Sequence, residues 1–231
     1  MTFDPSDLHL FQTDFDNANE KALETISSWI SDLDDLSQFN QWLKDEKPIP
    51  NRNSLKNISN IPIFRIVGKN REPFELTGNF AFGSRFCIGA SQLTFLPNIE
   101  VGVCLYASQT IECARTEFYG DSIKRDGKEY ELIPKRKNIE LWSIEELIEK
   151  NFHYPNLIQL INEFPTGAAW GLQKIPKISQ RLAHYIRNFG GDGILYKSVN
   201  MNHGDNTCYA FFVDGEHHAR DIFEAQLDNK L

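Results

Sequence analysis

Four side chains in this 231-residue chain are chemically conspicuous because the pattern around them is apolar. In IPIFRIV (61–67), alternation puts Ile61, Ile63, Arg65 and Val67 on one strand face. A guanidinium on such a face needs a counterpart, either an acid in a structural ion pair or a bound anion. In VGVCLYAS (101–108), Tyr106 shares its face with Gly102, Cys104 and Ser108. Small neighbours beside a ring leave volume that is filled by the ring itself or by a flat ligand. In GILYKSV (193–199), Ser198 lies on the face of Ile194 and Tyr196, which makes it a buried hydroxyl in need of a partner. Glu117 belongs to QTIECARTEFY (109–119), which has helical spacing. At about 100° per residue, Ile111, Ala114 and Phe118 form the apolar stripe, while Glu112 and Thr116 point to solvent. Glu117 falls at the margin of the stripe, a place for a solvated acid or for the wall of a cleft.

Both periodicities occur along the chain, so the expected class is α+β. Strands are expected at 61–67, 101–108, in KEYELIP after the Asp126-Gly127 turn, in NIELW, DGILYKSV and TCYAFFV. Helices are expected at 109–119 with Gly120 as the stop, at 144–151 behind a Ser143/Glu146 capping box, at 156–164 and at 178–191. The tail ARDIFEAQL also reads as helical. Residues 1–50 form a helical extension, with Leu23, Ile26, Ile30 and Leu33 on one face, and KPIPNRNSLKN reads as a linker. The remainder, 51–231, is a single domain. The aromatic segment 79–91 suggests a strand edge and loop.

The composition narrows the function classes. A net charge of −8 disfavours direct nucleic-acid binding and requires any anion site to carry its own arginines. The four cysteines (87, 104, 113 and 208) have no metal-ligand spacing and suit a reducing cytoplasm. The first residues lack a signal-peptide pattern, and no apolar run is long enough for a membrane span. No GxSxG, HExxH or GxxxxGK[ST] motif is present. GGDG (190–193) reads as a helix-to-strand turn, and the histidines at 203, 217 and 218 lack a paired ligand pattern.

Five segments in order, FRI (64–66), GSRF (83–86), LYAS (105–108), ARTEF (114–118) and GGDGILYKSV (190–199), followed by CYAFF, resemble the RES domain. This is the toxin of RES–Xre toxin–antitoxin modules. The resemblance covers roughly residues 60–215 and implies an ADP-ribosyltransferase-like split β-sheet with flanking helices. It also implies degradation of NAD by phosphorolysis or hydrolysis, with NAD as substrate, inorganic phosphate as a candidate co-substrate and no cofactor or metal. Carried over residue by residue, Arg65 and Arg85 match the site arginines, Tyr106 the site tyrosine, Glu117 the glutamate and Ser198 the serine. Glu117, Arg65 and Ser198 would be catalytic, and Arg65, Arg85, Tyr106 and Ser198 would bind substrate.

Two positions depart from the family's pattern. Phe86-Cys87 stand where many members have asparagine after the second arginine, and Val199 stands where arginine often follows the serine. The second departure leaves the acceptor open between phosphate and water. The resemblance also implies an Xre-type antitoxin partner, with the N-terminal helices as candidates for that contact or for a homodimer interface. Transfer of ADP-ribose to a macromolecule and a non-catalytic interaction module are the alternatives.

Overall fold

The computed structural model describes residues 52–58, 60–76, 84–87, 89, 102–119, 126–151, 178–198, 200–201 and 206–227. The chain divides into two units, Met1–Trp42 and Leu43–Leu231. The first, and with it the expected helical extension, lies outside the described residues. So do the expected helix at 156–164, Gly120 and His203.

Within the second unit, eight strands form one sheet. They are β1 (Leu55–Asn57), β2 (Phe64–Gly68), β3 (Val103–Ser108), β4 (Gly127–Pro134), β5 (Glu140–Ser143), β6 (Gly193–Lys197), β7 (Thr207–Val213) and β8 (Phe223–Leu227). Their spatial order is β1-β5-β6-β7-β3-β2-β4-β8. All neighbours are antiparallel except β5 and β6. Four described helices accompany the sheet: α1 (Ile111–Tyr119), α2 (Ile144–Asn151), α3 (Ile178–Asn188) and α4 (Glu216–Ile222). The α+β class expected from the sequence is the one observed.

Alternation along the central strands divides the molecule into two layers. Val103, Leu105 and Ala107 of β3, with Tyr209, Phe211 and Val213 of β7, enter the main hydrophobic core together with Ile63, Val67, Leu132 and Leu141. α4 closes this layer with Ala219 and Ile222. The alternate residues Cys104, Tyr106, Ser108, Cys208 and Tyr196 face the opposite way. Cys208 is paired with both Ser108 and Tyr196, so these three form one row across the sheet. This second face is less apolar and carries Tyr106 and Tyr196, whereas Arg65 shares the face of Ile63 and Val67.

Two segments differ from their sequence-based expectation. The tail is helical only to Ile222, and Phe223–Leu227 is a strand on β4. Buried Phe223 packs on Phe211 at 4.7 Å, and the unpaired edge of β4 offers more hydrogen bonds than a further helical turn would. The linker-like segment contains β1, because Leu55–Asn57 pairs with Trp142–Glu140 at the edge beside β5. The Ser143/Glu146 capping box forms by half. Glu146 N–H donates to Ser143 Oγ at 3.5 Å, but the Glu146 carboxylate pairs with Lys56 and Lys150.

The GGDG turn is a junction between layers. Gly190 and Gly191 have φ of 81° and 101°, a region that favours glycine. Gly190 C=O accepts from Trp142 Nε1 at 2.7 Å. The Asp192 carboxylate accepts from Arg136 at 2.7 Å and from Glu140 N–H at 2.9 Å. A Cβ at Gly193 would collide with the backbone carbonyl of Ala210 on β7. Gly193→Ala is therefore expected to destabilise the fold by more than about 2 kcal/mol, seen as a lower urea midpoint. An unchanged midpoint would show that β6 and β7 can separate locally at no penalty.

Candidate functional site

α1 is fixed to the sheet at two places. Cys113 and Ala114 are its buried residues, and Cys113 Sγ lies 3.5 Å from Cys208 Sγ on β7. On the other flank, Arg115 makes a bidentate pair with Glu129 of β4, with both N···O distances 2.8 Å. Arg115 is thus engaged by an acid. The buried stripe thus runs through Cys113 rather than through Ile111 and Phe118, which are only partly buried. Packing against the small residues Ser108 and Cys208 rotates the helix this way. Glu117, one turn after Cys113, consequently turns toward the sheet.

There Glu117 meets the end of β6. Ser198 Oγ donates a short hydrogen bond to Glu117 Oε1, which also accepts from Asn200 Nδ2 at 3.2 Å. Ser198 Oγ itself accepts from Asn200 N–H at 3.2 Å. The buried hydroxyl therefore has its partner, and that partner is the glutamate. Oε2 of Glu117 receives no hydrogen bond among the described residues.

Arg85 reaches the same face by another route. It lies in a tight turn closed by the Ser84–Cys87 bridge, and Gln180 of α3 donates to the Ser84 and Cys87 carbonyls at 2.8 and 2.6 Å. The guanidinium carbon stands 5.2 Å from the centroid of the Tyr196 ring, and Phe86 meets that ring edge-on at 4.9 Å. Nη1 of Arg85 is buried without a hydrogen-bond partner. Neither Arg85 nor Glu117 forms an ion pair among the described residues. An uncompensated buried donor of this kind is costly unless a ligand completes it.

Tyr106 supports this turn. Its hydroxyl lies 2.7 Å from Ser84 Oγ and accepts from Phe86 N–H at 2.9 Å. Burial pushes the Tyr106 phenol well up, and the nearby Cys87 and Cys104 add to the effect. Burial likewise pushes Tyr196 up; Cys208 and Glu117 act in the same direction, and Arg85 opposes them. Both phenols are neutral donors at physiological pH.

Arg65 occupies a different setting. β2 and β3 are paired only at Phe64↔Ser108. Arg65 fills the gap beyond that pair. Its Nε donates to Pro73 C=O at 2.7 Å, Nη1 to Tyr106 C=O at 2.6 Å and Nη2 to Glu75 C=O at 3.3 Å. The partners are carbonyls rather than an acid, and the guanidinium keeps two N–H groups beyond these three bonds. Burial, with a smaller contribution from Arg71, lowers it to about 10, so it stays charged at neutral pH.

Glu117 and Ser198 are thus in direct contact, and Arg85 lies over Tyr196, two positions before Ser198 in the chain. Tyr106 is linked through the 84–87 turn, and Arg65 through the Tyr106 carbonyl. No described contact joins Arg65 to Glu117. Two participants escaped the sequence reading. Tyr196 reads as a core aromatic in an apolar strand, although its shared face with Ser198 was the available signal. Asn200, just past the expected strand, carries no signal in the sequence, and only the three-dimensional return of β6 to α1 reveals it.

Among the described residues, no group of three or more His, Cys, Asp or Glu is placed to hold a metal. His217 is exposed and lies 3.7 Å from Asp221, while His218 Nδ1 accepts from Asp214 N–H. No described helix is long and apolar enough to cross a membrane.

Comparison with known proteins gives a family. The RES domain family matches residues 62–228. A solved structure, that of the M. tuberculosis MbcT–MbcA toxin–antitoxin complex, is similar over 83% of this chain and 89% of that one, at 10% identity and a TM-score of 0.48. No curated protein matches the chain. The family match covers well over half of the sequence and spans every segment from FRI to CYAFF, and this chain belongs to the RES domain family.

Proposed function

We propose that this protein cleaves the bond between nicotinamide and ribose in NAD and acts as the toxin of a toxin–antitoxin pair. One observation carries the reading: a carboxylate with one unengaged oxygen is held by Ser198, an arginine with a buried unpartnered nitrogen lies over Tyr196 two positions earlier in the chain, and the two do not pair with each other. Such a pair suits a ligand that is anionic at one end and develops positive charge at the other. NAD is such a ligand. Its diphosphate would take the free donors of Arg85 and the two remaining N–H groups of Arg65.

Nicotinamide leaves as a neutral molecule when its bond to ribose C1′ breaks, so no general acid is required. The ribose then carries oxocarbenium character, which the Glu117 carboxylate offsets. The electron pair of the broken bond stays with nicotinamide. Water or phosphate then attacks C1′ and releases a proton to solvent, giving ADP-ribose or its phosphate ester. Ser198 holds the carboxylate in place and can accept a hydrogen bond from the ribose. Tyr106 fixes the turn that carries Arg85 and offers its ring to the nicotinamide side. The antitoxin would be an Xre-type protein covering these residues, and the setting would be the cytoplasm.

The test is to incubate purified protein with NAD, with and without phosphate, and to follow nicotinamide by chromatography. Release in either buffer is expected. The ratio between buffers identifies the acceptor, and labelled NAD reports any transfer to protein. Folded protein that releases no nicotinamide in either buffer rules the reading out.

A further inference from the structure

Glu117 has two hydrogen-bonding neighbours, Ser198 and Asn200, of which only Ser198 was a site candidate in the sequence. Asn200 touches both members of the contact: its side-chain amide donates to Glu117 Oε1, and its backbone N–H donates to Ser198 Oγ. The Ser198 hydroxyl has a single proton, and that proton goes to Glu117 Oε1. Oε1 thus accepts two bonds from fixed directions, and the carboxylate loses its freedom to rotate about its last torsion. Oε2 is the oxygen left to face a substrate.

The segment that supplies Asn200 is itself fixed. Ser198 N–H donates to Asn206 C=O at 2.8 Å, and Asn206 Nδ2 donates to Met201 C=O at 3.0 Å. Asn200 lies between these two ties, so its amide is held in place although the residue is exposed.

We infer that Asn200 is a positioning residue that, together with Ser198, aims Glu117 Oε2 at the reacting ribose carbon. This rests on the NAD-cleaving reading for its catalytic consequence, but not for its geometry. An amide is well suited to the task. It donates to the carboxylate without adding charge, so Glu117 keeps its full negative charge for the developing cation. A lysine or arginine here would form an ion pair and neutralise that charge.

The test uses full-length protein and two variants. Asn200→Ala is expected to lower kcat for nicotinamide release about tenfold while KM stays within about twofold, because only alignment in the transition state is lost. Asn200→Asp preserves size and the backbone bond to Ser198 but sets a second carboxylate against Glu117. It is expected to lose more activity than Asn200→Ala at neutral pH and to recover as pH falls, when the two carboxylates share one proton. A merely structural role would give no such acid-shifted profile. The crystal structure of Asn200→Ala supplies a readout independent of activity, with Glu117 expected in a new or divided rotamer. An unchanged single Glu117 rotamer overturns the inference, and so does an unchanged kcat in Asn200→Ala when the parent protein is active. Rotamer change in a parent that releases no nicotinamide would instead uphold the positioning and remove the NAD reading.

Discussion

Glu117→Gln is expected to lower the rate of nicotinamide release by about a hundredfold or more, with little change in stability. The substitution is nearly isosteric. A glutamine carbonyl in the place of Oε1 still accepts from Ser198 and Asn200, so the local hydrogen bonds survive. What disappears is the negative charge proposed to face the ribose. Because that charge acts mainly in the transition state, kcat falls and KM moves little. A matched thermal midpoint separates this loss from unfolding. Full activity in Glu117→Gln would remove the glutamate from the mechanism and leave the arginines as the main contributors.

Arg65→Ala should produce the largest stability loss among the site residues. Three carbonyls, those of Pro73, Glu75 and Tyr106, lose their donor together. A buried acceptor left without a donor costs about 1–3 kcal/mol, and water entering the gap recovers part of it, so a loss of about 3 kcal/mol is expected. It would be read as a lower urea midpoint at an unchanged slope. Arg65→Lys should recover less than half, because an ammonium cannot reproduce three donors in a planar fork. The charge itself is not the source of stability. Folding lowers the guanidinium to about 10, so the unfolded chain holds this proton more tightly. Stability from this group therefore rises only above about pH 10 and is flat across the neutral range. A shift below about 0.5 kcal/mol in Arg65→Ala would leave Arg65 as a ligand contact alone.

The two arginines show how much of the site was legible. Alternation placed Arg65 on the face of Ile63 and Val67, and that placement holds. Its partner was not legible, since nothing local says that β2 and β3 part after one residue pair and leave carbonyls to satisfy. The buried nitrogen of Arg85 depends on a turn held by Gln180, nearly a hundred positions later in the chain. Ser198 was recognisable as a hydroxyl in need of a partner, but pairing it with Glu117 required α1 and β6 to meet.

The elements divide similarly. β3, β6 and β7 follow from apolar runs rich in β-branched and aromatic residues. The tail failed because FEAQL has helical propensity, yet the open edge of β4 draws it into the sheet. β1 failed because three residues with a proline-rich approach carry almost no pattern, and only Trp142 opposite makes them a strand. The rotation of α1 depended on the size of its cradle. Cysteine and serine on the sheet admit Cys113 more closely than they would admit Ile111.

The single-pair contact between β2 and β3 gives the molecule a crease. On one side lie β1, β5, β6, β7 and β3, and on the other β2, β4 and β8. Each group has continuous ladders, and Arg65 acts as a wedge across the line between them. Across this line the ladder is only one strand pair long, so the two groups are joined chiefly by Arg65 and by the shared core, where Phe223 of β8 packs on Phe211 of β7. Arg115–Glu129 spans this line, with α1 seated on β7 and Glu129 on β4. The helix that presents the glutamate is therefore also the strap across the crease, and the aim of Glu117 is tied to how tightly the two groups are closed.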